Sequence, residues 1–157
     1  MKTFLICIGR TNEPYWQAAI NEYTKRLRRY SPFELTEIPD LKNARSLTEQ
    51  QIREAEGDNI LRLVNADDYV TLLDDKGTQH TSVGFASWYQ RRALSGCRRL
   101  LFVIGGPYGF SPAVYARADE KLSLSLMTFS HQIVRPLFLE QLYRANTILR
   151  NEPYHHE

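Results

Sequence analysis

The chain has 157 residues, of which 43% are hydrophobic and 24% are charged, and its formal net charge at pH 7 is +2. That length fits one domain, residues 1–157, with enough apolar surface to form its own core, and the charge excludes a polycationic protein. The N-terminal apolar run, residues 4–8, is too short for a signal peptide or a membrane span. We therefore expect a cytoplasmic protein with no membrane partner.

The first half of the chain alternates strand and helix patterns. Pro14 fits the first turn of a helix, for which Thr11 or Asn12 is the expected cap. The predicted elements are a buried strand over residues 2–9, a helix from about 14 to 30, a half-buried strand FELTEIP, and a helix that begins at the capping box SLTE and ends near residue 64.

The second half continues this alternation. Ser111 is the expected cap of a short helix that has Pro112 at its first position. The predicted elements are a strand YVTLL closed by the turn DDKGT, a helix over about 82–94, a strand RLLFVIGG, the short helix SPAVYARA, a strand-like segment KLSLSLMTF, and a long helix from 131 to about 150.

Regular alternation of strands and helices favours an α/β fold with a mostly parallel sheet and helices on both faces. Ligands of such sheets bind outside the carboxyl ends of the strands. The segments VTLL, IGGPYG and LSLMTF would meet there if their strands are neighbours. Cys7 and Cys97 lie far apart and the four histidines lack zinc-binding spacings, so the sequence predicts no metal site.

The glycine-rich segment GGPYG, residues 105–109, does not match a nucleotide-binding loop. Its spacing departs from G-x-G-x-x-G, no Gly-Lys-Ser/Thr follows, and Pro107 lacks one of the backbone N–H donors that a phosphate needs. A tight turn in which two backbone segments approach closely is the plain structural alternative.

Two clusters of basic residues stand out on this nearly neutral chain. They are either solvated helix faces or contacts to nucleic acid. The first cluster is Lys25, Arg26, Arg28 and Arg29, and the second is Arg91, Arg92, Arg98 and Arg99.

Three further stretches, taken together, form a pattern that is specific to one protein family. They are FVIGGPYGF (residues 102–110), LSLSLMTFSHQIVR (122–135) and EPYHHE (152–157). In this order and at this spacing they make the chain resemble the RlmH family, the SPOUT-class pseudouridine N3-methyltransferases of the large ribosomal subunit. The resemblance covers essentially the whole chain and includes EGDNIL in the second helix and EQLYRA in the last.

The resemblance implies a SPOUT-type fold with a C-terminal trefoil knot. It also implies a homodimer in which the partner completes the site, with S-adenosylmethionine as methyl donor. The implied acceptor is N3 of a pseudouridine in 23S ribosomal RNA, and the assembled ribosome is the expected substrate. This methyl donor carries no phosphate, and a glycine-lined apolar slot suits its adenine.

Carried over residue by residue, the resemblance also implies which positions bind the donor. One lies at the end of the third strand, one in the glycine loop, and the others in the segment that follows the fifth strand pattern. They are Leu72, Gly105, Leu124, Ser125, Leu126, Met127, Thr128 and Phe129.

Methylation at N3 requires alignment of donor and acceptor, and a base or a cation near the departing proton would help. The candidates are His131, Arg135, Tyr154, His155 and His156. His131 has an alternative role as a helix-start residue bonded to backbone, and Arg135 has one as a structural or RNA-positioning residue.

Three residues beside or among these catalytic candidates bear on their roles. Arg144 is expected to pair with Glu140, four residues earlier on the same helix. The chain departs from the family pattern at Ser130, where relatives have proline, and at His156, where they carry Arg or Lys. His156 supplies a cation only when it is protonated.

Two alternative functions remain open at this stage. One is a SPOUT methyltransferase that acts on another RNA, such as tRNA, and the lack of an added RNA-binding domain argues against it. The other is a non-catalytic ribosome-binding factor, against which the intact segments IGGPYG and LSLMTF argue.

Overall fold

Strands and helices alternate along the whole chain, as the sequence predicts. The computed structural model describes residues 1–157. Its elements are β1 (Lys2–Ile8), α1 (Pro14–Leu27), β2 (Phe33–Ile38), a 3₁₀ turn (Ala44–Ser46), α2 (Glu49–Leu61), β3 (Tyr69–Gln79), α3 (Ser82–Leu94), β4 (Arg99–Ile104), α4 (Pro112–Arg117), β5 (Glu120–Ser123) and α5 (Val134–Leu149).

All five strands run parallel in one sheet, in the order β2-β1-β4-β3-β5. Alternate residues of a strand point to opposite faces. Leu5 and Cys7 of β1 accordingly pack with α1, α3 and α5, whereas Ile6 and Ile8 pack with α2 and α4. The predicted α/β fold with helices on both faces is confirmed, and the trefoil knot stays a prediction.

The two predicted helix caps of the first half are wrong in position. Helix α1 has Glu13 at its N-cap without a side-chain cap bond, and the Thr11 hydroxyl instead donates to Glu37 at 2.7 Å. Helix α2 does begin with a capping box, but its partners are Thr48 and Gln51, two residues beyond the predicted start. Ser46 and Thr48 are both favourable N-cap residues, so the sequence alone does not show which of them begins the helix.

The predicted turn DDKGT is wrong, because β3 continues through it to Gln79. Leu73 and Thr78 both pair with Leu122 of β5, so residues 74–77 form a large bulge between them. A side chain at Gly77 would meet the Leu122 backbone at 2.6 Å, which explains a glycine in the bulge. The bulge turns Asp74 toward the end of the sheet.

The segment KLSLSLMTF is a strand only in its first part, because β5 ends at Ser123. The Ser123 hydroxyl donates to the Ser125 carbonyl and the Ser125 hydroxyl accepts from the Met127 N–H, both at 2.9 Å. Such local side-chain bonds compete with a sheet ladder. Residues 124–129 therefore form a loop at the carboxyl end of the sheet.

Helix α5 begins at Val134, three residues later than predicted. Leu139 of this helix is buried, whereas Leu137 is 39% exposed. No helix of the structure combines the length and the apolar character needed to cross a bilayer.

Candidate functional site

A cavity of about 420 Å³ opens at the carboxyl ends of β3, β4 and β5. The β3 bulge, the glycine loop after β4 and the loop after β5 form its walls, and the start of α5 closes one side. The three segments expected to meet at this edge therefore do so, because β3 lies between β4 and β5 in the sheet.

The lining of this cavity is apolar and acidic. Ile104, Phe110 and Leu122 supply apolar surface, and Asp74 and Asp75 supply the only formal charges, with no lysine or arginine in the wall. Burial acts in the opposite direction, but hydrogen bonds from Tyr115 and from the Lys76 backbone lower the pKa of Asp74. The Asp74 carboxylate in the cavity wall is therefore negatively charged at neutral pH. The cavity suits an uncharged or cationic ligand that has no phosphate.

The glycine loop is shaped by close contacts and by one left-handed residue. A Cβ on Gly106 would lie 2.8 Å from Glu56 Oε2, so α2 packs directly on the loop. Gly109 has φ +78° and donates its N–H to the Gly106 carbonyl at 3.2 Å. Tight packing against α2 thus explains the glycines without a phosphate ligand.

Glu56 of α2 packs behind the glycine loop, against Gly106, and nothing in the sequence indicates this contact. It is 7% exposed, and its Oε1 atom has no hydrogen-bond partner. Burial, together with the nearby Asp40 carboxylate, raises the pKa of Glu56 to about 6. A glutamate within a helix is normally exposed to solvent, so the burial of Glu56 is evident only from the packing of α2 on Gly106.

Most of the donor-binding residues expected from the resemblance line the cavity. These are Gly105, Leu124, Ser125, Met127, Thr128 and Phe129. Leu72 does not line it, because its side chain points to the opposite face of the sheet and Leu73 takes its place. Leu126 does not line it either, since it projects from the loop and is 85% exposed.

His131 lies in the cavity wall, where the chain enters α5. Burial and the adjacent Arg135 guanidinium lower the pKa of His131 below its ordinary value, against the weaker attraction of Asp40. The imidazole is therefore neutral at physiological pH. Its backbone carbonyl accepts a hydrogen bond from Arg135 at 2.9 Å, so both roles weighed for His131 have a basis in the structure.

Arg135 is fully buried, with 0% of its surface exposed. It makes an ion pair with Glu37 of β2 and not with a carboxylate of α5. Its donors reach the carbonyls of Ile8, Gly9 and His131, the hydroxyl of Thr11 and the carboxylate of Glu37, at 2.7 to 3.0 Å. These contacts support the structural role weighed for Arg135, because they join the start of α5 to the end of β1, and a role in catalysis or RNA binding stays a prediction.

The tail, residues 152–157, lies along α1 and α5. The Tyr154 hydroxyl donates to Glu140 at 3.0 Å, and His155 Nδ1 is 3.2 Å from Arg144. Burial and hydrogen bonding raise the pKa of Tyr154, so its hydroxyl stays protonated. The expected ion pair between Arg144 and Glu140 is present.

The tail does not reach the cavity of its own chain, and none of Tyr154, His155 and His156 lines it. The cavity touches α5 at Val134, whereas the tail contacts Arg144, which lies about 15 Å further along the helix at about 1.5 Å per residue. Within one chain, therefore, the cavity and the candidate catalytic residues of the tail lie apart from each other.

The basic clusters are partly used within the fold. Arg92 lies 4.7 Å from the centroid of the Tyr69 ring, and Arg99 pairs with buried Asp68 at 3.0 Å. The residues left exposed for a partner lie around the ends of two helices: Lys25, Arg28 and Arg29 at the end of α1, and Arg91 and Arg98 around the end of α3.

Comparison with known proteins agrees with this architecture. The family described as "Predicted SPOUT methyltransferase" matches residues 1–155. Proteins named "Ribosomal RNA large subunit methyltransferase H" from Parabacteroides distasonis and Flavobacterium johnsoniae are each 54% identical to the chain over 157 residues, covering all of both proteins. The protein of that name from Phocaeicola vulgatus is 50% identical over the same length. The chain therefore belongs to the SPOUT methyltransferase family, and the resemblance to its RlmH members is confirmed.

Proposed function

We propose that this protein uses S-adenosylmethionine to methylate N3 of a pseudouridine in 23S ribosomal RNA, on the assembled ribosome. Relatives that match its full length at 50–54% identity carry the name of a ribosomal RNA large subunit methyltransferase. The site residues implied by the resemblance are present, and most of those for the donor line one cavity.

The composition of the cavity carries the proposal. A phosphate-bearing nucleotide would need cations or free backbone N–H groups, and the wall offers no lysine or arginine and has Pro107 in its glycine loop. S-adenosylmethionine has no phosphate and carries positive charge, which Asp74 and Asp75 attract. The apolar wall and the open edge of the glycine loop fit an adenine ring.

The donor supplies an electrophilic methyl group, so that a bond from N3 to carbon forms, the carbon–sulfur bond breaks and the N3 proton leaves. The residues of this chain orient the reactants and exclude water, which supplies much of the rate enhancement in such displacements. Leu124, Ser125 and residues 127–129 would hold the donor, and neutral His131 at the cavity wall would face the acceptor side.

The site is incomplete in one chain, which supports a homodimer. None of Tyr154, His155 and His156 lines the cavity of its own chain, and Arg144, which His155 contacts, lies about 15 Å along α5 from Val134 at the cavity. A second copy would bring its tail to this cavity, so that donor and acceptor residues come from different protomers. The exposed Lys25, Arg28 and Arg29 at the end of α1 would then contact RNA phosphates beside the tail.

The test is methyl transfer from labelled S-adenosylmethionine to intact ribosomes, free subunits, naked ribosomal RNA and tRNA in separate reactions. The proposal predicts label on intact ribosomes, at N3 of one pseudouridine of the large subunit. Label on tRNA would support a SPOUT enzyme for another RNA. Ribosome binding without label on any substrate would support a non-catalytic binding factor, and either result contradicts the proposal.

A further inference from the structure

Arg144 connects α5 to the tail through both of its terminal nitrogens. Its Nη2 pairs with Glu140 Oε1, and its Nη1 lies 3.2 Å from His155 Nδ1. The guanidinium also stacks on the Tyr154 ring, 4.8 Å from the centroid. From this geometry we propose that Arg144 and Glu140 are positioning residues, which fix His155 as the Nε2–H tautomer and make it a hydrogen-bond donor to the acceptor base.

The direction of the bond between Arg144 and His155 follows from the chemistry of arginine. A guanidinium has only N–H donors, no acceptor, and stays protonated in proteins. Nδ1 of His155 must therefore accept this hydrogen bond, and a neutral imidazole that accepts at Nδ1 carries its proton on Nε2. His155 consequently presents an N–H group and has no free lone pair.

The opposite ring nitrogen has no hydrogen-bond partner in the chain. Nε2 of His155 is withdrawn from solvent and unpaired, and Glu157 Oε1 lies 3.8 Å away. That separation is too long for a hydrogen bond, but a carboxylate on this side favours a proton on Nε2 over a lone pair. A substrate oxygen that displaces Glu157 would supply the missing acceptor.

Glu140 anchors the other end of this arrangement. Its Oε1 atom accepts from both Arg144 and the Tyr154 hydroxyl, and its Oε2 atom accepts from Gln141 at 3.0 Å. Glu140 and Arg144 lie four residues apart on one face of α5, where such side chains meet. The orientation of two tail side chains therefore depends on one ion pair of a rigid helix.

The inference rests on the proposed function and gives His155 a defined role in it. As the proton leaves N3, negative charge collects on the carbonyl oxygens that flank this nitrogen. A fixed N–H donor stabilises such charge in the way that an oxyanion-hole donor does. Because His155 has no free lone pair, the N3 proton passes to water and not to this imidazole.

The tautomer can be measured directly in the full-length protein, without RNA. Long-range proton–nitrogen correlation spectra of protein labelled with [15N]histidine show which ring nitrogen of His155 carries the proton, and His155→Gln assigns the signal. We expect the Nε2–H form alone in the wild type and a mixture of tautomers in Arg144→Met. The Nδ1–H form in the wild type would overturn the proposal.

Arg150→Met is the matched control for this measurement. Arg150 directly follows α5 and stacks on the Tyr30 ring at 4.8 Å, the same distance as Arg144 from Tyr154, but it makes no hydrogen bond to His155. We expect its His155 signals to match those of the wild type. Loss of the tautomer preference in Arg150→Met would show that general tail packing sets it and would overturn the role of Arg144.

Two substitutions of His155 separate a donor from a base in the methyl-transfer assay. Glutamine places an amide N–H where the imidazole has Nε2, whereas the shorter asparagine reaches only to the position of Nδ1. We expect His155→Gln to keep kcat within about tenfold of the wild type and His155→Asn to lose about 100-fold or more. Equal losses in both variants, beside an active wild type, would overturn the donor role.

Arg144 must act through His155, and a double-mutant cycle tests this. We expect Arg144→Met to lower kcat about tenfold with an unchanged KM for S-adenosylmethionine. Adding it to His155→Asn should then cause no further loss. Additive losses would overturn the positioning role. An inactive wild type would instead contradict the proposed function, while the spectra would still decide the tautomer.

Discussion

Replacing Arg135 with methionine removes the buried cation that joins α5 to the ends of β1 and β2. The change keeps an unbranched side chain of similar reach, so that lost hydrogen bonds and not lost volume dominate its effect. Arg135 has no exposed surface, and its donors satisfy three backbone carbonyls, one hydroxyl and the Glu37 carboxylate. Methionine removes the Arg135 donor from each of these acceptors, and only Glu37 keeps hydrogen bonds from elsewhere, from the N–H and hydroxyl of Thr11.

The expected loss of folding stability is about 3–5 kcal/mol. Breaking one partner of a buried ion pair typically costs about 3–5 kcal/mol, because the other charge stays behind. Counted separately, three unpaired carbonyls at about 1 kcal/mol each give about 3 kcal/mol, the lower end of the same range. Since small domains have about 5–15 kcal/mol in total, the variant should be only marginally stable.

Urea unfolding followed by circular dichroism measures this change as a lower midpoint at an unchanged slope. Arg135→Lys should recover only part of the loss, because one ammonium cannot reach carbonyls on both sides as the planar guanidinium does. Arg26→Met is the control, because Arg26 and Glu22 form an exposed pair on α1. A loss below about 1 kcal/mol for Arg135→Met would refute the structural role.

Gly105→Val should weaken S-adenosylmethionine binding by about 10- to 100-fold in calorimetric titration, because a Cβ there lies 3.0 Å from the Phe110 ring in the cavity wall. Glu56→Gln should raise the free energy of unfolding by about 2 kcal/mol at pH 8 and leave it unchanged at pH 4, since the carboxyl with a pKa of about 6 must ionise while buried. Replacing Lys25 and Arg29 with alanine should weaken ribosome binding and reduce its salt dependence while leaving donor affinity intact.

Each of these predictions has a direct control or contrary outcome. Leu126→Ala should bind the donor as the wild type does, because Leu126 is 85% exposed and outside the cavity. Because folding raises the pKa of Glu56, the wild-type protein loses folding stability as the pH rises through about 6 and the buried carboxyl ionises. Equal stability of Glu56→Gln and wild type at both pH values would contradict its burial as an anion. Loss of donor affinity on α1 substitution would contradict the RNA assignment.

Local signals in the sequence were sufficient for much of the fold. Helix α3 has the predicted bounds, and Ser111 caps α4 by accepting from the Val114 N–H at 3.3 Å. Both features depend on residues within one turn of each other, so periodicity and cap chemistry specify them. The order of the strands, by contrast, depends on contacts that no single element encodes.

The β3 bulge shows why part of the site could not be predicted. The letters DDKGT are typical of a turn. The partner that keeps them in the strand, Leu122, lies far along the chain and pairs with both Leu73 and Thr78. The bulge brings Asp74 into the cavity, so the acidic character of this cavity emerges only from tertiary pairing.

Arg135 illustrates the same limit for a single residue. Its position in a resembling motif suggests a functional contact, yet its partners lie at the ends of β1 and β2, at the opposite end of the chain. Burial of a cation cannot be inferred from a helix pattern, because long charged side chains are normally exposed. Leu72 and Leu126 differ from expectation for a simpler reason, since a motif does not say which side chains face the cavity.

The most direct test of the central claim is calorimetric titration of the wild-type protein with S-adenosylmethionine in the presence and absence of excess ATP. The cavity has acidic walls and no cation that could bind a phosphate. We therefore expect one donor molecule per cavity and a binding curve that ATP leaves unchanged. Displacement of the donor by ATP, or no heat of binding from S-adenosylmethionine, would contradict the assignment of this cavity to the methyl donor.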